Sequence, residues 1–189
     1  MSYIKTCVDS LFAGLMIAIG AVIYLNCPNR IVGAFLFSIG LITIMEFGFK
    51  LYTGAVGFVR TANQTLHVVI TLIMNAIGCL FICLVPVTGA QAVWAPKLAV
   101  PLIVVLAKAF ICGILIFLCV SKKDVITTIA AIAAFILCGA EHSIADICFM
   151  YAAKDVTWRG ILFILIVVIG NAAGSLSIAL WMRFKKKLN

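Results

Sequence analysis

Stretches of about twenty residues with scarcely a charge recur from one end of this chain to the other, and about twenty residues is the helix length that crosses a bilayer core. On that ruler the sequence divides into six apolar segments, roughly residues 8–25, 31–60, 66–86, 98–120, 124–152 and 160–183. Only 11% of residues are charged, whereas a soluble domain carries about 25%. Such a chain lacks the polar surface that water requires, and an all-α integral membrane protein is expected. The net charge of +8 therefore points to no nucleic acid. Its densest run, Arg183-Phe184-Lys185-Lys186-Lys187, directly follows the last apolar segment and reads as an anchor against anionic lipid. The first apolar segment is long and no small-residue cleavage site follows it, so it is read as a retained span rather than a signal peptide. The eight cysteines show no CxxC spacing and fall mostly in apolar segments. They are expected to be small buried side chains, with no metal and no disulfide.

With the N-terminus inside, Lys5, Arg60, Lys122, Lys123, Arg183 and Lys185 to Lys187 would be cytoplasmic, against Arg30, Lys97, Lys154 and Arg159 outside. That excess places both termini in the cytoplasm and the chain in the cytoplasmic (inner) membrane.

The second and fifth segments are too long and too interrupted for simple helices. "MEFGFKLYTGAVGF" breaks one and "CGAEHSIADICF" the other, and non-helical backbone survives at membrane depth only inside protein or along a wet cavity. The two breaks align. "GFKLYTGAVGF" from Gly48 and "GAEHSIADICF" from Gly139 have equal length, a charge two residues after the glycine and a terminal phenylalanine. "NAIGCL" from Asn75 likewise matches "NAAGSL" from Asn171, and Ala13-Gly14 matches Cys112-Gly113. Each half holds three spans, so the second must be inverted, giving repeats of about 1–97 and 98–189. Inverted repeats with paired broken helices place a permeation site near the midplane. The small residues and the two asparagines fit close helix packing, and the asparagines can also bond broken-helix carbonyls.

Charges cost about 2.5–3.5 kcal/mol at a helix centre on insertion scales, so Glu141, His142, Asp146, Lys50 and Glu46 are expected to face the interior. An intramembrane histidine is functional by default, and His142 lies in a break; the alternative is a plain hydrogen bond to a broken-helix carbonyl. Glu141 reads as a structural partner for backbone amides or a cation. Lys50 occupies the repeat position of Glu141, and two arrangements suit it: pairing with Glu141, which would offset both desolvation costs, or facing a pore and raising anion occupancy.

These motifs resemble the formate/nitrite transporter family. "CGAEHSIAD" is similar to its fifth-helix G-x-E-H-S-I-A-N, "GFKLYTG" to its G-A-[DE]-L-F-T-[SG] loop in the second helix, and "IGNAAGSL" to its sixth-helix I-G-N-x-x-G. "KTCVDSLFAGLMIAIG" resembles its first helix. The resemblance implies an aquaporin-like fold of six transmembrane helices, a homopentamer with one pore per protomer, and passage of small monovalent anions or their conjugate acids. It implies that His142 is the central pore histidine and Thr53 its partner, that Phe37, Leu41, Leu51, Tyr52 and Phe135 form constrictions, and that Asn171 is structural. Four positions depart from the family: Lys50 stands for an acid, Asp146 for asparagine, Tyr52 for phenylalanine and Phe117 for a fourth-helix asparagine.

A bare anion cannot pass a ring of Leu, Tyr and Phe without losing hydration at high cost. Either positive potential from Lys50, helix N-termini and amides stabilises it, or a proton from His142 or water neutralises it. The expected function is passage of formate, nitrite, hydrosulfide or a similar weak-acid anion, with protons as a second partner and no cofactor. The rival readings are a non-transporting subunit of the same fold and an intramembrane enzyme using Glu141 and His142. The second lacks HExxH, GxSxG and any Cys/His metal spacing, so the chain is read as no enzyme.

Overall fold

The computed structural model describes residues 2–188. These residues form nine α-helices: α1 (Tyr3–Asn26), α2 (Arg30–Phe47), α3 (Tyr52–Ala55), α4 (Ala62–Cys79), α5 (Ala90–Leu98), α6 (Leu102–Lys122), α7 (Val125–Leu137), α8 (Ser143–Ala152) and α9 (Trp158–Leu188). Short 3-10 turns follow α3 (Val56–Phe58) and α4 (Leu80–Leu84). Five elements are long and apolar enough to cross a membrane: α1, α2, α4 with its 3-10 extension, α6 and α9. The expected fifth span is divided between α7 and α8, each shorter than a crossing. The expected second span is divided among α2, α3 and the first 3-10 turn. Large apolar side chains cover the outside, among them Ile103 and Trp158, each 72% exposed, as a lipid-facing surface requires.

The local causes of these breaks are explicit. Gly48 ends α2 at φ 68° and Gly139 ends α7 at φ 70°, left-handed positions that a Cβ disfavours. Asn29 starts α2 by accepting from the Ile31 and Val32 amides, and Asp124 starts α7 by accepting from Thr127. Four of the eight cysteines, Cys79, Cys112, Cys119 and Cys148, are buried, whereas Cys83 and Cys138 are exposed. The expectation of mainly buried thiols holds for half of them; Cys7 and Cys27 are half-buried.

Packing follows the small residues. A Cβ on Gly14 would sit 2.1 Å from the Asn75 carbonyl oxygen, and one on Gly113 2.3 Å from that of Asn171. Gly78 meets the Leu11 carbonyl at 2.2 Å, and Gly174 that of Phe110 at 2.0 Å. Thus α1 crosses α4, and α6 crosses α9, backbone against backbone, by the same device in both halves. Lipid tails offer no hydrophobic drive for helix association, so this van der Waals contact supplies it. At the end of the bundle where α1 starts, Tyr3 donates to Asn63. At that same end Arg183, near the close of α9, donates to the Gly57 and Val59 carbonyls.

Because the obstacle at Gly174 is a backbone oxygen that cannot rotate away, Gly174→Ala should destabilise by about 3 kcal/mol. Thermal unfolding in detergent should show a clearly lowered Tm, and an unchanged Tm would contradict the close crossing.

Candidate functional site

The two chain breaks meet at the centre, and each is held by one asparagine. Asn75 on α4 donates to the Ser10 carbonyl at 2.7 Å and the Lys50 carbonyl at 2.9 Å, and accepts from the Tyr52 amide at 2.9 Å. Asn171 on α9 donates to the Ala109 and Glu141 carbonyls, both at 2.8 Å, and accepts from the Ser143 amide at 2.8 Å. Both asparagines are fully buried. Each side chain therefore satisfies the carbonyl and amide that flank a break, groups that would each cost several kcal/mol unpaired in hydrocarbon.

His142 is the N-cap of α8. Its Nδ1 accepts from the Ala145 amide at 3.1 Å and its Nε2 lies 3.0 Å from Thr53 Oγ1. An amide N–H can only donate, so Nδ1 carries the lone pair and Nε2 carries the proton. The neutral imidazole thus donates to Thr53 across the gap between α8 and α3. An imidazolium would set N–H against N–H at Ala145. Phe135 stacks on the imidazole with ring centres 5.7 Å apart, and Phe37 meets Phe135 edge-on at 6.1 Å. The structure therefore brings His142, Thr53, Phe135 and Phe37 together.

Leu41 and Leu51 are buried in the same core. Tyr52 is turned differently: its hydroxyl donates to the Val168 carbonyl of α9 at 3.1 Å, and so is spent on a helix. Phe117, buried on α6, packs against Phe58 with ring centres 5.1 Å apart and leaves no room for a Cβ on Gly57. Ser175 donates to the carbonyls of Thr53, at 2.8 Å, and Gly113, at 3.0 Å, tying α3 to α6 and α9.

The charged groups are arranged otherwise than expected. Lys50 does not pair with Glu141; it donates to Thr6 Oγ1 at 3.0 Å and feels the carboxylate of Asp9. Glu141 takes Lys97 instead, and Asp146 Oδ1 lies 3.0 Å from the same ammonium. The physical reason is topological. Each break is closed by its own asparagine, and α5 folds back over the second, bringing Lys97 to the buried acids. Trp94 and Gln91 fasten α5 there, donating to Asp155 and to the Ala153 carbonyl. Burial works against the Lys97 charge, but Asp146 and Glu141 more than reverse it, holding the ammonium above the ordinary lysine range. Glu46, by contrast, is exposed on the last turn of α2, because Gly48 ends the helix before the chain turns inward.

Lys97 is the residue that sequence reasoning missed. The available signal was the pair of acids at 141 and 146, five residues apart across the second break, which require a cation from outside their own segment. A cavity of about 440 Å³ opens beside them, lined by Arg30, Lys97, Lys108, Glu141, His142 and Phe135 among others. Three cations, the two acids and the histidine thus line one cavity.

The sequence model of the formate/nitrite transporter family matches residues 1–184. The chain belongs to the formate/nitrite transporter family. Two solved structures share its fold. One, a pentameric formate channel with formate bound, is 17% identical, with a TM-score of 0.83 over 99% of this chain and 98% of its own. The other, an FNT family ion channel, is 21% identical, with a TM-score of 0.85 over 96% of this chain and 90% of its own. No curated protein matches the sequence. The fold is accordingly all-α and aquaporin-like, with an inverted repeat and broken helices in both halves, in an integral multi-pass membrane protein.

Lys97→Met would leave two buried carboxylates facing each other with no cation. Removing one partner of a buried ion pair costs about 3–5 kcal/mol, so thermal stability should fall markedly, and the triple variant K97M/E141Q/D146N should recover most of it. A single variant as stable as the wild type would show that the cluster carries no net charge interaction.

Proposed function

We propose that this family member is a channel or transporter for small monovalent weak-acid anions such as formate, nitrite or hydrosulfide. One observation carries the reading: at the meeting of the two breaks, an imidazole N–H points at Thr53 from a ring stacked on Phe135. A dehydrated anion at this point takes the place of Thr53 Oγ1 as acceptor and gains a charge-assisted hydrogen bond. With Lys97 engaged by Glu141 and Asp146, the cations at 30 and 108 raise anion occupancy in the adjoining cavity, and the buried phenylalanines exclude cations and bulk water. Transport rather than catalysis is the function this site suits, since its histidine is committed to a cap and a hydroxyl.

Proton linkage is the finer part of the proposal. For His142 to take up a proton at Nδ1 it must give up the Ala145 bond, so a protonated state opens the first turn of α8. A proton reaching the anion would come through water in the cavity or through such an opening. Assembly as a homopentamer, residence in the cytoplasmic membrane with both termini inside, repeats of about 1–97 and 98–189, and structural roles for Asn75 and Asn171 complete the reading. Lys50, Leu41, Leu51 and Tyr52 belong to it as residues of the pore wall or its approach.

In proteoliposomes the wild type should speed formate or nitrite equilibration well above protein-free vesicles. His142→Asn retains a good N-cap but moves the donor away from Thr53. Loss of a hydrogen bond to a charged group is worth about 1.5–3 kcal/mol, so flux should fall about tenfold or more at unchanged Tm. No acceleration by the wild type of any small anion would reject the function, and equal flux in H142N would reject the role of the histidine.

A further inference from the structure

At the second break the buried charges do not balance. Lys97 brings one ammonium to two carboxyl groups, those of Glu141 and Asp146. Both acids are buried, at 2% and 1% exposure, and their carboxyls are within hydrogen-bond reach of each other. Ionised carboxylates only accept, so two of them side by side repel and form no bond. One positive and two negative charges would leave an uncompensated anion in a low-dielectric interior, the state that burial penalises most. Asp146 Oδ2 adds to that penalty: it is buried, and no donor reaches it among the described residues. The hydroxyl one turn earlier on α8, Ser143 Oγ, is likewise buried without a partner.

The other groups around the pair do not make up the difference. Lys108 on α6 and Arg30 on α2 line the same cavity. The Lys108 ammonium lies beside Gly139, however, and the Arg30 guanidinium donates to the Ile136 carbonyl at 3.4 Å. Among the described residues only Lys97 forms an ion pair with either acid. His142 is held neutral by its bond to the Ala145 amide. The remaining titratable neighbours are the thiols of Cys112 on α6, Cys138 after α7 and Cys148 on α8, which bring no positive charge. The missing charge is therefore one proton. Asp146 stands where the motif resembled by this segment has asparagine, whose NH₂ donates and whose shape a carboxyl group copies. A protonated carboxyl restores a donor in the same plane, and its proton, unlike those of an amide, can leave.

We propose that Glu141 and Asp146 hold one proton between them beside Lys97, and that this pair is the acid that protonates a weak-acid anion drawn into the cavity. This rests on the transport reading and gives it a proton donor. The proton belongs to the pair rather than to either residue, as in other carboxyl dyads where like charges cannot both ionise. The step balances. An O–H bond of the pair breaks, directly or through a cavity water, and an O–H bond forms on the anion. The neutral acid moves on past His142, and the pair, one charge more negative, takes a proton back from water in the cavity. Arg30 and Lys108 attract the anion and the acid pair neutralises it, so the two requirements for entering an aromatic constriction fall to different residues of one wall.

The test uses the full chain in nanodiscs, followed by infrared difference spectroscopy. At neutral pH the wild type should show the carbonyl band of one un-ionised carboxylic acid, shifted in heavy water and lost as the pH is raised. Asp146→Asn and Glu141→Gln should each abolish it, because a single carboxyl beside Lys97 ionises as its ion pair. In proteoliposomes D146N should lower formate uptake by about tenfold or more at mildly alkaline pH, and much less at acid pH, where the solution already supplies formic acid. No band in the wild type, or a band that survives in either variant, overturns the shared proton. Equal uptake by wild type and D146N at both pH values overturns its transfer to the anion. A band lost in both variants while the wild type moves no weak acid keeps the shared proton and removes the transport reading; uptake with no band does the reverse.

Discussion

A helix broken inside a bilayer strands amides and carbonyls where no water can reach them, and this molecule meets that constraint with two asparagine side chains. Asn75 and Asn171 each bind a carbonyl and an amide on the two sides of a break and a further carbonyl on a neighbouring helix. A carboxamide can donate twice and accept at once in a fixed plane. Everything at the centre depends on it. The breaks let α3 and α8 start inside the bundle, and those starts put Thr53 and the cap residue His142 opposite each other.

Much of this was legible because it is written in residue types with narrow physical uses. Glycine at 48 and 139, asparagine at 75 and 171, and small residues at 14, 78, 113 and 174 each mark a geometric requirement that few other residues meet. Their order along the chain exposed the inverted architecture. The segmentation into spans followed from hydropathy, although hydropathy does not register that α7 and α8 are separate short helices. Nor could it show that α4 closes in a 3-10 turn.

The charges were harder to read, for a physical reason. Pairing Lys50 with Glu141 assumed that symmetry-related positions meet, whereas symmetry requires only that their surroundings correspond. Glu141 and Asp146 found their cation in α5, a short helix in a connector with two prolines nearby, whose path no periodicity reveals. The Tyr52 hydroxyl likewise found a carbonyl on α9, a partner that its place in the sequence does not indicate. Buried polar groups choose partners by three-dimensional proximity, and one sequence offers that only where a repeat or a helical turn supplies it.

The double engagement of His142 has a consequence for ions of the wrong kind. Imidazole binds transition metals through a lone pair, and the one lone pair on this ring is occupied by the Ala145 amide. Zinc or copper reaching the centre therefore meets an N–H, and can be ligated only by unwinding the start of α8. The cap that orients the histidine also makes it a poor trap for the metals that most readily seek histidine out.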